Sequence, residues 1–124
     1  MHNIIIDETS IVPIFIQVAE WLKEEILQGN IPEGNQVPSV NQIAATSFIN
    51  PATIQKGFGL LVEEGILYKK RGIGMFVKTG SKGRIYENAK EHFVKETLQQ
   101  TWQQARKLEM TKEDVIELLK EIKI

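Results

Sequence analysis

With 124 residues, 42% of them hydrophobic and none of them cysteine, the chain can bury one modest core with an appendage; it is too apolar for disorder and has no means of a disulfide framework or thiolate chemistry. The net charge of −1 is unevenly spread: residues 1–36 carry −5, residues 37–84 carry +5 from seven cations against two acids, and residues 85–124 carry −1, so a local basic block is available to a polyanion. Two histidines, His2 and His92, are too few for a metal centre or for acid–base catalysis, and no apolar run can span a bilayer. The expectation is therefore a soluble, cytoplasmic, non-enzymatic chain without metal or cofactor.

Asn3-Ile4-Ile5-Ile6-Asp7 is a β-branched run that predicts a strand, placed to cover the head or to pair with a partner subunit. Val12-Pro13 opens a long helix. Ile14, Val18, Leu22 and Ile26 repeat on one face, Phe15, Ala19 and Leu27 widen it, Trp21 sits at its edge, and Gly29 ends it. Residues 30–35 predict a bend; they lack the glycine spacing and the lysine of a phosphate-binding loop.

Ser39, with Gln42 three residues on, is the pattern of a capping box, and Val40, Ile43 and Ala44 give a short apolar face. That helix weakens at Thr46-Ser47. Asn50-Pro51 starts another, because asparagine caps and proline suits the first helical position. Ile54, Phe58, Leu61 and Val62 form its apolar face; Ala52, Thr53, Gln55 and Lys56 form the other. Gly57 and Gly59 each cost about 0.8–1 kcal/mol against alanine inside a helix; close packing of Gly57 on the first helix is the preferred explanation. Gly65 ends the helix.

Ile66-Leu67-Tyr68 and Met75-Phe76-Val77 predict two strands joined by a charged turn from Lys69 to Gly74. Two short helices followed by a basic hairpin are the plan of a winged helix-turn-helix, whose second helix enters the major groove of DNA. On that plan the DNA contacts are Ser39, Asn50, Thr53, Gln55, Lys56, Lys69, Lys70, Arg71 and Gly72. Gln55 can bond adenine at two points, Asn50 serves mainly as a cap, and Arg71 beside Gly72 suits the minor groove.

Residues 79–83 predict a linker, dividing a DNA-binding domain at 1–79 from a tail at 80–124. A helical pattern from about Arg84 to Leu108 follows, with Tyr86, Ala89, Phe93, Leu98, Trp102 and Ala105 as its stripe. Thr111 then caps a last helix carrying Val115, Leu118, Leu119 and Ile122. Two such helices cannot enclose a ligand cavity by themselves. Tyr86, Phe93, Leu98, Trp102, Leu118 and Leu119 therefore predict a dimer contact with a second copy of the chain.

The linked motifs resemble those of the GntR transcription regulators. Residues 13–18, 29–34, 37–39, 53–55, 64–67 and 71–77 carry the resemblance across roughly residues 4–80, and residues 50–55 with the short tail match the small YtrA-type branch. The resemblance implies a mainly α fold with a small β wing, a winged helix-turn-helix head and a short helical dimerisation tail. It also implies a homodimeric repressor on a palindromic operator in double-stranded DNA, and leaves room for a small-molecule effector. The resemblance also implies a DNA contact at Asn41, where family members usually carry an arginine and this chain is neutral; many carry arginine at Pro51 and often at Gln55 too. The rival expectation is a winged helix that docks a protein and does not read DNA; a steep salt dependence of DNA affinity separates the two.

Overall fold

Apolar spacing in this chain divides into three short helices, one hairpin and a long helical tail. The structure, a computed structural model, describes residues 3–124; His2 lies outside them. The elements are α1 (Ile14–Leu27), α2 (Val40–Ser47), α3 (Pro51–Glu63), β1 (Leu67–Lys70), β2 (Gly74–Val77), α4 (Ser81–His92), a π-helical segment (Phe93–Leu98), α5 (Gln99–Lys107) and α6 (Lys112–Glu121). The described residues up to Tyr86 form one compact unit and Glu87–Ile124 a second.

The first unit is built on one core. Val18, Ala19, Leu22 and Ile26 of α1 meet Ile54, Phe58 and Leu61 of α3, closed by Ile43, Ile66, Leu67, Val77 and Ile85. α1 and α3 approach closely because residue 57 is glycine: a Cβ there would lie 2.8 Å from the Phe15 carbonyl oxygen and 3.2 Å from the Val18 side chain. The close-packing reading of Gly57 therefore holds. A Cβ on Gly59 would meet nothing within 4 Å, and nothing in the structure explains that glycine. Lys23 of α1 joins the two helices further, with its Nζ 3.0 Å from Glu64 and 3.2 Å from Glu20.

β1 and β2 pair antiparallel, Leu67 opposite Val77 and Lys70 opposite Gly74. The loop before α2 runs along the far edge of β2: Gln36 bridges Phe76, and the Val37 N–H donates to the Met75 carbonyl at 2.9 Å.

Four expectations need correction. Residues 3–7 form no strand, since no neighbouring strand offers a ladder. The Gln17 side chain instead accepts from the Asp7 N–H and donates to the Asp7 and Val12 carbonyls. Val62 is 40% exposed although Leu61 is fully buried, because one step along a helix turns a side chain by about 100° and off the core stripe. Lys69 and Lys70 belong to β1, and the turn is only Arg71–Ile73.

The fourth is the linker. Residues 81–83 are the first turn of α4, and Ser81 is completely buried. Its hydroxyl donates to the Ile66 and Lys78 carbonyls. The Glu33 carboxylate accepts from the N–H groups of Gly80 and Lys82 at 3.0 and 3.1 Å, and Arg84 Nε donates to the Glu64 carbonyl. A segment held at this many points is an anchor, and within it Ser81 is the small residue that is closely packed.

In the second unit the helix runs on from α4 through the π segment into α5. The capping box of α6 is present: the Asp114 N–H donates to Thr111 Oγ1 at 3.1 Å and the Thr111 N–H to an Asp114 carboxylate oxygen at 2.9 Å. Ala105 is buried and Trp102 is partly covered, with Lys112 Nζ 5.4 Å from its ring centre. Phe93, Leu98, Leu118 and Leu119 are exposed.

Candidate nucleic-acid interface

The two helices of the head that follow α1 are each capped by a side chain of their own. At α2 the Gln42 N–H donates to Ser39 Oγ at 3.1 Å, and the Ser39 N–H donates to Gln42 Oε1 at 2.8 Å. At α3 the Ala52 N–H donates to Asn50 Oδ1 at 2.9 Å, with Pro51 in the first helical position. Both residues are caps first. Each keeps a side-chain hydrogen-bond donor, a hydroxyl or an amide NH₂, that could turn to a phosphate.

Between α2 and α3 the chain turns at Phe48, which adopts the left-handed conformation with φ 58° and ψ 20°. Only glycine and asparagine enter that region readily; an aromatic residue there costs on the order of 1 kcal/mol. The ring recovers little by burial, being 93% exposed. Phe48 lines one groove with Asn50 and Thr53, completed by Ile4, Ile6, Glu8, Ile14, Ser47 and Ile49.

Along α3 the exposed edge carries Pro51, Ala52, Gln55 and Lys56, with Thr53 half-buried. Gln55 is exposed on this edge. Lys56 is held differently: its Nζ lies 4.2 Å from the centre of the Phe15 ring, a cation–π contact that draws the ammonium towards α1. Asn41, in the first turn of α2, is exposed.

The hairpin presents Lys69, Lys70, Arg71 and Gly72 to solvent. Its strands are stiffened by Tyr68 and Phe76, whose rings stack with centres 5.8 Å apart, and Lys70 Nζ sits 4.3 Å from the Phe76 centre. Lys70 is thus a structural cation of the wing as well as a charge on it, whereas Arg71 occupies the turn itself. Gly72 has φ 77° and Gly74 φ 144°, conformations that favour glycine. Gln36 pins the turn by donating from Nε2 to the Ile73 carbonyl at 3.0 Å; a Cβ on Gly74 would stand 2.6 Å from that nitrogen.

Gln36, Glu33 and Phe48 were not singled out by sequence reasoning. Gln36 and Glu33 act on residues about 40 positions away, and a local pattern carries no such signal. Phe48 was readable only as an aromatic in a weakening helix. Among the described residues no group of three metal-ligating side chains comes together, and no helix is long and apolar enough to cross a membrane.

The chain matches the family model described as bacterial regulatory proteins, gntR family, over residues 16–77. It is 34% identical over 117 residues to the helix-turn-helix transcriptional repressor YtrA of Bacillus subtilis, spanning 94% of this chain and 89% of that protein. Among solved structures it resembles a GntR-family transcriptional regulator from Bacteroides thetaiotaomicron, with a TM-score of 0.75 at 30% identity, covering 87% of this chain and 94% of that one. It also resembles the DNA-binding domain of AraR in complex with the operator ORX1, with a TM-score of 0.55 at 30% identity, covering 62% of this chain and 99% of that domain.

Proposed function

The chain belongs to the GntR family of bacterial regulatory proteins, and from that footing we propose that it represses transcription by holding a palindromic operator as a homodimer in the cytoplasm. DNA binding and transcriptional regulation come with the family, whose members are helix-turn-helix regulators and not enzymes, and the winged-helix head is the part that binds. That YtrA of Bacillus subtilis is described as a repressor supports repression here.

The observation that carries the reading is the exposed cationic hairpin, Lys69 to Gly72, which directly follows a helix whose capped first turn leaves Ala52 and Gln55 in solvent. In this reading α3 enters the major groove. Asn50 and Ser39 meet phosphates, Gln55 and Thr53 meet base edges, and Arg71 reaches the minor groove or the neighbouring backbone. Asn41 contributes a neutral contact from the first turn of α2. Lys56 reinforces the face electrostatically from its seat over Phe15.

Homodimerisation is supported by the second unit, where Phe93, Leu98, Leu118 and Leu119 are left in solvent. Tyr86, at the end of the first unit, is exposed as well. A two-fold pair of heads reads half-sites separated by about one turn of DNA, roughly 34 Å, or multiples of it. A small-molecule effector would need walls from both copies.

The test is selection of genomic fragments with the purified chain, followed by titration of the best fragment at several salt concentrations. A palindrome bound by two chains, with log K falling steeply with log salt, is the expected result. Sequence-blind binding would remove the operator reading and favour a winged helix that docks a protein.

A further inference from the structure

Phe48 is the one large side chain in the helix-turn-helix that folding does not explain. Its backbone sits where glycine or asparagine would be at ease, and its ring lies in solvent. We infer that Phe48 is a specificity-determining residue, its ring packing against the 5-methyl group of a thymine at the border of the site read by α3. The inference rests on the DNA-binding reading above and extends it.

Position supplies the first argument. Phe48 stands two residues before Asn50, the cap of α3, and lines one groove with Asn50 and Thr53. A duplex engaged by the first turn of α3 passes beside the ring. The left-handed turn that directs the ring outward is fixed by neighbouring hydrogen bonds: the Phe48 N–H to the Ala44 carbonyl at 3.1 Å, Ser47 Oγ to the Ile43 carbonyl at 2.6 Å, and the Ile49 N–H to Ser47 Oγ at 3.3 Å.

Chemistry supplies the second. The Phe48 ring carries neither charge nor hydrogen-bond donor, so it has nothing with which to hold a phosphate. A phenyl ring has no hydrogen bond to offer a base edge. The uncharged apolar group that the major groove does offer is the thymine methyl, which phenylalanine suits.

A second copy of the chain is the other candidate occupant, and size argues against it. Nine of the described residues line the groove, well below the roughly 20–30 that each partner of a stable interface contributes.

The experiment uses the full chain and the fragment obtained by selection. Each thymine of the bound site is replaced in turn by deoxyuridine, which removes only the methyl group. The wild type is compared with Phe48→Asn and Phe48→Gly, both of which accept the left-handed turn. The expected result has three parts. The wild type loses affinity at one or two outer thymines. Both variants bind the unmodified site roughly five- to tenfold more weakly and are indifferent to deoxyuridine at those positions. Their thermal midpoints do not fall, and light scattering gives the same assembly as the wild type. Variants with wild-type affinity and an unchanged deoxyuridine profile overturn the inference and leave the DNA reading standing. Loss of the dimer, or a midpoint lower by many degrees, overturns it by making Phe48 a subunit contact or a fold residue. A wild-type chain that selects no sequence removes both readings together.

Discussion

Arg71 and Lys70 are neighbours in sequence but do different work. Lys70 leans over Phe76 and belongs to the face of the hairpin, while Arg71 occupies its turn. Arg71→Ala should therefore weaken DNA binding at low salt and reduce the slope of log K against log salt by about 1, leaving the fold intact; Arg71→Ala with Lys70→Ala should weaken it further. Titration at three or more salt concentrations reads this, and an unchanged slope removes Arg71 from the interface. The glycines of α3 give a paired prediction. Gly57→Ala drives a methyl into the Phe15 carbonyl and should destabilise the chain by about 1–3 kcal/mol. Gly59→Ala meets open space and should stabilise it by about 0.5–1 kcal/mol. Urea unfolding of the two variants tests both signs.

At the scale of elements, the start of α4 depends on the loop before α2. Hydrogen bonds from the Gly80 and Lys82 N–H groups hold the Glu33 carboxyl below its usual value near 4.5. A carboxylate whose pKa is lowered by folding contributes stability that is complete above its unfolded-state value and is lost as pH falls through the lower folded-state value. The anchoring of α4 should therefore be insensitive to pH above about 4.5 and weaken below it. In Glu33→Gln the anchor should already be weaker at neutral pH, and this acid-side change should shrink. Amide hydrogen exchange at Gly80 and Lys82 across that pH range reads the clamp directly; equal exchange in the variant and the wild type would dismiss it. The same logic explains why the residues after β2 read as a linker yet behave as an anchor. Small polar residues are what flexible segments use, but a buried serine with two carbonyl partners is what close packing uses.

For the whole molecule, the division between Tyr86 and Glu87 sets where the chain can be cut. Ile85 is part of the core of the first unit and Arg84 bonds to the Glu64 carbonyl, so a head ending at Lys82 loses both. A head ending at Tyr86 should fold, remain monomeric by light scattering and bind an operator fragment far more weakly than the full chain, since two linked heads gain from effective concentration. A dimeric head would move the subunit contact out of the tail. Leu118→Asp with Leu119→Asp in the full chain should have the same effect on assembly without altering the head, because both side chains are exposed; an unaltered dimer would exclude them from the contact.

What the sequence determined by itself was whatever depends on residues within a few positions of one another. The capping boxes at Ser39 and Thr111, the Asn50-Pro51 start of α3, the apolar stripes of α1 and α3 and the hairpin with its cations are local, and a 3.6- or 2-residue period or a cap spacing is enough to see them. Tertiary structure decided what depends on distant partners. It turned residues 3–7 from a strand into a segment tied by Gln17, since a strand needs a neighbour. It made residues 81–83 the buried head of α4, moved Lys69 and Lys70 into a strand, set Lys56 over Phe15, and brought Gln36 to the wing turn. It also set the ring of Phe48 in solvent, because exposure depends on everything the fold fails to place beside a residue.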